Sequence, residues 1–183
     1  MSTLRLAAAA VSMAVFAAAG VFAAESQSTV RPNLGAPITP KDLAPWDITV
    51  FPDGTGLPAG SGTAAQGAPI FAAKCAMCHG EGAKGTPAAA ALVGAPPLTG
   101  GIETTKTIAN FWGYSTTAFD FIRRAMPFQA PRSLTNDEVY ALVAYLVALN
   151  QLIPESEVMN AKTLPQVKMP NRDGFIIRFP DRI

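Results

Sequence analysis

Hydrophobic positions recur with helical spacing most clearly over residues 136–150. Thr135 precedes this stretch and Glu138 follows three residues later, a pair that is typical of a capping box at a helix N-terminus. Apolar residues three and four positions apart then form one stripe, which is expected to face the core. The stripe consists of Val139, Leu142, Val143, Leu146 and Leu149. The pattern predicts a helix over residues 136–150.

Three weaker patterns also predict helices. A helix is predicted over residues 64–74, with Phe71 among its apolar contacts. Pro69 is expected in the first turn of this helix, where its missing N–H costs least. Shorter helices are predicted around residues 103–111 and 116–125. The sequence contains no long alternating strand pattern and no internal repeat. The chain is therefore predicted to be all-α.

The regions outside these helices divide the chain into segments. Residues 1–23 carry one positive charge, an Ala-rich apolar run and small residues before a cleavage point after Ala23, which is the pattern of a secretory signal peptide. An uncleaved membrane anchor is the alternative. Residues 24–63 predict an extended N-terminal segment, because they are rich in Pro, Gly, Ser and Thr. Residues 64–150 form the predicted domain, and residues 151–183 a Pro-rich tail that packs on the domain or docks on a partner.

Composition narrows the location and the kind of partner. Export would place the mature protein in the periplasm, with no membrane span left after cleavage. The 14 Lys and Arg residues against 13 Asp and Glu residues are scattered singly or in pairs. Because no basic stripe or block is present, nucleic acid is excluded as a partner. The length of 183 residues suits one domain with extensions at both ends.

The candidate chemistry lies in one short motif. The only two cysteines of the chain, Cys75 and Cys78, are three positions apart, and the only histidine, His79, follows at once. This array is the c-type haem attachment sequence. On a helix, both thiols lie within reach of the two vinyl groups of one porphyrin, and the adjacent imidazole can ligate the iron. We therefore expect one covalently bound haem c per chain.

Three other interpretations of the motif compete with haem. A disulfide between Cys75 and Cys78 is conceivable in an exported protein. A thioredoxin-like redox pair uses the same spacing but is expected after a strand, whereas a helix is predicted here. A structural zinc site needs four protein ligands, and two cysteines with one histidine leave that set incomplete.

The second axial ligand of the iron cannot be a histidine, because the chain has no other. The candidates are a methionine, lysine, tyrosine, water or an exogenous ligand. Met77 lies between the cysteines and cannot reach the opposite face. Met169 lies in the tail, beyond the last helix. Met126 follows a helical stretch, and Pro127 stiffens the loop that begins there. Met126 is therefore the expected ligand.

The residues now placed resemble class I cytochrome c over residues 64–150. Gly67 and Phe71, together with Tyr145 and Leu146, look like the crossing of the first and last helices in that family. The segment that begins with Pro96 looks like the Pro-x-Leu-x-Gly segment of the family. This resemblance implies that the Pro96 carbonyl accepts the Nδ1 proton of His79 and so orients the imidazole ring. Met126 matches the distal methionine of the family.

A narrower resemblance includes the stretch from Ala118 to Asn150 and the tail segment from Pro170 to Ile176. These two segments are similar to the cytochrome subunits and electron-acceptor cytochromes of periplasmic molybdenum sulfite dehydrogenases, including the Sox sulfane dehydrogenase system. The resemblance implies a sulfite or sulfur-compound dehydrogenase as electron donor. A downstream cytochrome or a terminal oxidase would be the acceptor. Some Sox subunits carry a second haem, and this chain has one attachment motif.

The sequence is compatible with three functions. The first is a monohaem electron carrier with His79 and Met126 as metal ligands and no catalytic residue. The second is an enzyme or gas-binding haem protein with an open distal site, which requires Met126 to be absent from the iron. The third is a subunit of another periplasmic dehydrogenase, in which residues 155–183 clamp the catalytic partner.

Overall fold

The computed structural model describes residues 35–98 and 104–176. Its contacts divide the chain into two units, Met1–Ile38 and Thr39–Ile183. The described part of the first unit is exposed and lacks helix and strand. The predicted signal peptide over residues 1–23 lies outside the described residues. All the helices and strands given below belong to the second unit.

Most of the regular structure in the described residues is helical. The α-helices are α1 (Pro40–Leu43), α2 (Ala64–Lys74), α3 (Ala76–His79), α4 (Ile108–Phe111), α5 (Ser115–Ala125) and α6 (Asn136–Leu149). Two antiparallel strands of two residues each, β1 (Ser61–Gly62) and β2 (Met159–Asn160), pair Gly62 with Met159. Short 3₁₀ helices span Glu81–Ala83 and Leu164–Gln166. The prediction of an all-α fold is confirmed.

Helix α2 has the predicted bounds, but Pro69 lies in its second turn, so its predicted place in the first turn is wrong. Thr63 caps the helix: its hydroxyl accepts from Gln66 N at 3.3 Å, and the Gln66 carboxamide accepts from Thr63 N at 2.9 Å. This reciprocal pair sets the start of the helix well before the proline. Because Pro69 has no N–H, the Ala65 carbonyl lacks its usual helical donor.

Caps also decide where the later helices begin. The Asn110 side chain accepts from Thr107 N at 2.7 Å, so α4 begins at Ile108, later than the predicted start near residue 103. The predicted capping box of α6 is confirmed, since Glu138 N donates to Thr135 Oγ1 at 3.2 Å. The structure starts α5 one residue earlier and ends α6 one residue earlier than predicted.

The backbones of α2 and α6 approach each other closely where the two helices cross. A Cβ atom on Gly67 would lie 2.0 Å from the Ala141 carbonyl oxygen and 2.7 Å from Cβ of Tyr145. Beside it, the rings of Phe71 and Tyr145 pack with their centroids 5.4 Å apart. Only glycine allows the two backbones to approach this closely, which confirms the predicted crossing.

Helix α6 is buried over more of its circumference than one stripe. Tyr140, Ala141 and Ala144 are buried as well, whereas Leu149, predicted to be part of the stripe, is 37% exposed. The reason is that chain extensions cover the second face of the helix. The Tyr140 hydroxyl donates to the Pro58 carbonyl at 2.8 Å, and a Cβ on Gly62 of β1 would lie 2.4 Å from Ala141 N.

The C-terminal tail packs back on the domain between Met159 and Met169. Met159, Leu164, Val167 and Met169 are buried in the hydrophobic core. The Ser115 hydroxyl at the start of α5 donates to the Leu164 carbonyl at 2.6 Å. Beyond this, Phe175 and Ile176 are half-exposed and exposed, and residues 177–183 lie outside the described residues.

Candidate functional site

An apolar cavity of about 360 Å³ lies between α2, α3, α5 and α6. Its lining includes Phe71, Cys75, Cys78, His79, Ile108, Trp112, Phe121, Ile122, Met126, Phe128, Leu142 and Leu146. Ligand sites are typically cavities of this kind, with an apolar wall and a few polar or metal-binding groups. The two thiols, the imidazole and one thioether are the soft and nitrogen donors that line it.

The attachment motif is a helical turn of its own and does not continue α2. Helix α2 ends at Lys74, and Cys75 leaves helical geometry with φ −125° before α3 begins. Cys78 N and His79 N both donate to the Cys75 carbonyl, at 3.1 and 2.9 Å. This turn keeps the two thiols and the imidazole on one wall of the cavity, as the motif predicts.

Both cysteines are free thiols, and their surroundings disfavour the redox-pair interpretation. Burial raises the pKa of the Cys75 thiol, while the Lys74 charge beside it opposes this in part. A thioredoxin-like cysteine needs a lowered pKa, because the thiolate is the attacking species. In residues 35–98 and 104–176, no group of three or more His, Cys, Asp or Glu side chains is placed to hold a metal ion. The zinc alternative therefore has no support from the described structure.

The His79 ring is oriented by a different carbonyl from the one expected. Its Nδ1 atom lies 3.3 Å from the Ala90 oxygen. The Pro96 carbonyl instead accepts from Asn110 Nδ2 at 2.7 Å, so the role predicted for Pro96 is corrected. The loop folds back because Thr86 Oγ1 donates to the Cys78 carbonyl at 2.5 Å and Thr86 pairs with Ala89. A carbonyl in an alanine run carries no sequence signal, which is why Ala90 was missed.

Met126 directly follows the last residue of α5. Its backbone is in the extended region, and its side chain lines the cavity. The peptide bond between Met126 and Pro127 is cis. Among the four methionines that the structure describes, the other three lie elsewhere: Met77 is 80% exposed, and Met159 and Met169 are buried in the core away from the cavity lining. Met126 is thus the methionine that the fold brings to the same cavity as His79.

The aromatic and basic residues near the site divide into two groups. Trp112 lines the cavity and packs edge to face on Phe121, with centroids 5.7 Å apart. Tyr114 turns instead to the tail, where the Arg172 guanidinium lies 4.3 Å above its ring. Sequence reasoning missed Phe121 and Phe128 as cavity residues. The hydrophobic pattern does not indicate Phe121, because it lies two residues from the buried Phe119 and so on a different face of α5.

The chemical groups that line the cavity fit a covalently attached haem. The cavity combines free thiols at the attachment spacing, an imidazole and a thioether, inside an otherwise apolar lining. With Nδ1 of His79 directed at the Ala90 carbonyl, Nε2 is left as the metal-binding atom. His79 and Met126 are the candidate iron ligands, and Cys75 and Cys78 the candidate attachment points.

The fold and the cavity define an α-helical haem protein of the c type, and comparison with known proteins agrees. The family model of cytochrome c matches residues 64–150. A search of curated proteins finds no match. Among solved structures, a chain of the sulfane dehydrogenase SoxCD from Paracoccus pantotrophus is 36% identical, with a TM-score of 0.73 over 83% of this chain and 73% of that chain.

The chain belongs to the cytochrome c family. It is a class I c-type cytochrome, related to Sox cytochrome subunits, and its role is electron transfer. Membership of the family implies covalent haem c. Among the residues that the structure describes, no helix has the length and apolar character that a bilayer crossing requires.

Proposed function

We propose that this chain is a periplasmic monohaem cytochrome that receives single electrons from a sulfite or sulfur-compound dehydrogenase. The observation that carries the proposal is the shared cavity, in which Cys75, Cys78 and His79 of the attachment turn and Met126 beyond α5 line the same apolar space. With His79 and Met126 both holding it, an iron would have no vacant site for substrate chemistry. This favours a carrier over a catalyst or a gas-binding protein.

When bound, haem supplies a one-electron couple between ferric and ferrous iron. Cys75 and Cys78 would hold the porphyrin through its vinyl groups. The Ala90 carbonyl accepts the His79 Nδ1 proton, which orients the ring and makes its other nitrogen a stronger ligand. A Met126 thioether bound to the iron would favour the ferrous state and so raise the reduction potential. Apolar side chains such as Phe71 and Leu142 exclude water from the cavity.

The proposed donor rests on the similarity to SoxCD, which covers most of this chain, including regions outside the domain. That protein is a sulfane dehydrogenase, so a periplasmic molybdenum sulfite dehydrogenase or a similar enzyme is the proposed donor. The proposed acceptor is a downstream cytochrome or a terminal oxidase. The signal pattern in residues 1–23 supports the proposed periplasmic location. Mass spectrometry of the exported protein tests it, and a mature N-terminus directly after Ala23 is expected.

The axial ligand is tested by the optical spectrum of the oxidised haem protein. We expect the weak red sulfur-to-iron band in the wild type, its loss in Met126→Ala, and its retention in Met77→Leu, a control on an exposed methionine. Carbon monoxide should bind the reduced wild type slowly and the Met126→Ala variant rapidly. A wild type without the band, unchanged by Met126→Ala, would sink the His79–Met126 assignment and favour the open distal site.

The donor is tested by reduction assays on the purified native protein. Stopped-flow reduction by a sulfite dehydrogenase with sulfite is expected to be fast, and the same mixture without sulfite should leave the haem oxidised. Affinity capture from periplasmic extract should recover the same dehydrogenase. Fast reduction by another class of dehydrogenase, with none by sulfur-oxidising enzymes, would reject the donor and leave the carrier function intact.

A further inference from the structure

The loop that carries Met126 makes few contacts of its own. This distal loop, residues 126–135, joins α5 to α6, and residues 128–133 within it are exposed. Between residues 127 and 133 the described backbone bonds are Ala130 N to the Pro127 carbonyl at 2.9 Å and Ser133 N to the Ala130 carbonyl at 3.3 Å. A loop with so little internal packing needs outside contacts to hold one conformation.

Those contacts come from a segment of the chain more than 70 residues earlier. We call residues 45–50 the N-terminal strap. In the middle of the distal loop, Arg132 Nη2 donates to the Pro45 carbonyl, and the Arg132 guanidinium lies 5.3 Å from the centroid of the Trp46 ring. This is a hydrogen bond from a charged donor combined with a cation–π contact.

Arg132 has a second unusual property, because its backbone φ is +65°. This left-handed conformation favours glycine and costs an arginine free energy. A residue persists there when the surrounding structure over-determines it, and such positions often mark a functional constraint. Here the backbone conformation presents the side chain to Pro45 and Trp46, which a glycine could not contact.

The other end of the strap is fixed to α5 within two turns of Met126. Val50 is buried in the core, and its N–H donates to Asp120 Oδ1 at 3.1 Å. Asp120 in turn accepts from Arg124 at 2.9 and 3.1 Å. Arg123 Nη1 lies 3.4 Å from the Ile48 carbonyl, and Arg124 Nη2 lies 3.5 Å from Thr49 Oγ1. The strap is therefore anchored on a rigid helix and reaches out to the loop.

We propose that the N-terminal strap holds the distal loop closed over the cavity, with Trp46 and Arg132 as positioning residues for Met126. The inference rests on the proposed function, since it requires Met126 to ligate the iron. Met126 directly follows α5 and is the first residue of the distal loop, so its release from the iron would require movement of that loop. Opening the loop breaks the contacts of Arg132, so the strap lowers the population of the ligand-free state.

The test uses the haem-loaded full-length protein and imidazole as a competing ligand for the sixth position. The variants are Trp46→Ala, Arg132→Gln and the double variant, with Lys162→Gln as a control that removes an exposed cation from the turn after β2. The readouts are the imidazole dissociation constant of the ferric protein and the thermal loss of the sulfur-to-iron band. Far-UV circular dichroism follows the fold separately.

The proposal expects imidazole to bind about tenfold more tightly to each single variant, which corresponds to about 1.4 kcal/mol less protection of the Met126 bond. The band should disappear at a lower temperature, at which the circular dichroism is still native. Because Trp46 and Arg132 contact each other, the double variant should exceed the stronger single variant only slightly. Arg132→Lys keeps the cation and should recover part of the effect.

Three contradicting outcomes can be told apart. If the wild type shows the band but the variants bind imidazole like the control, the strap has no positioning role and the proposed function stands. If the band and the circular dichroism are lost together in the variants, the strap is part of the fold only, and the inference is wrong. If the wild type lacks the band altogether, the axial ligand of the proposed function fails, and the strap proposal fails with it.

Discussion

The attachment side and the distal side of the cavity are held in different ways. On the attachment side, Cys75 lies between α2 and α3, α3 carries Cys78 and His79, and α2 packs on α6 through the close approach at Gly67. On the distal side, α5 ends at Ala125, Met126 follows it, and residues 128–133 of the distal loop are exposed. The first side is held by buried apolar packing, and the second by charged and polar contacts to the strap.

This difference separates two properties of the protein. Apolar packing at close range is lost only when the helices move apart, so the attachment side should change with global unfolding. Polar contacts at the surface can break locally, so the distal side should open at a lower free energy. On the proposed function, the haem would stay attached while a few surface side chains set how readily Met126 leaves the iron. The variants below test this separation, from the largest expected effect to the smallest.

The largest effect is expected on the attachment side, from Gly67→Ala. The new Cβ would lie 2.0 Å from the Ala141 carbonyl oxygen, which belongs to backbone and cannot turn away. We expect the free energy of unfolding to fall by about 2 to 3 kcal/mol, as overpacked cores do. The measurement is guanidinium unfolding of the haem-loaded protein. Ala72→Ser adds one heavy atom on an exposed position of the same helix and should change little. Wild-type stability in Gly67→Ala would remove the basis of the comparison.

An intermediate effect is expected on the distal side, from Asp120→Ala. The variant removes the acceptor of Val50 N and the partner of Arg124, and should cost about 1 to 2 kcal/mol. Loss of imidazole resistance should exceed the loss of global stability, because the strap detaches before the core opens. Thermal unfolding and imidazole titration measure the two quantities. Asp47→Ala, on an exposed strap residue, is the control. Equal losses of both quantities would show that the two sides do not open separately.

The smallest effect is expected for the ion pair between Lys74 and Glu138, at 2.5 Å on the attachment side. The hydrogen bond from Lys74 and the backbone bond with Thr135 hold the pKa of Glu138 below its usual 4.5. Because the pKa is lower in the folded state, the pair stabilises the fold above pH 4.5, and this stabilisation is lost as the pH falls through the folded pKa. Both side chains are partly exposed, so screening keeps the contribution below about 1 kcal/mol.

Glu138→Gln isolates that contribution, because the amide keeps an acceptor for Thr135 N and removes the charge. We expect the variant to be slightly less stable than the wild type at pH 7 and equally stable at the acid end, as measured by urea unfolding at a series of pH values. If the free energy of unfolding at pH 7 fell as much in this variant as in Gly67→Ala, charge pairs would stabilise the attachment side as strongly as the distal side.

The sequence by itself determined the features that depend on neighbours along the chain. The two thiols and the imidazole of the site lie within five consecutive residues, so their spacing alone predicted covalent haem attachment. The capping box at Thr135 and the apolar period of α6 predicted the last helix to within one residue. Met126 was predicted as the second iron ligand because the chain has no second histidine and because this methionine follows a helical stretch.

The tertiary structure decided everything that depends on residues far apart. It placed the Ala90 carbonyl at His79 in place of Pro96, because the loop after the motif folds back on Thr86. It buried the second face of α6 under segments that the sequence predicted only as irregular extensions. It also brought Trp46 to Arg132, a contact across 86 positions of sequence. Hydrogen bonds and ring contacts of this kind leave no periodicity or spacing in the chain, so only the folded backbone can bring their partners together.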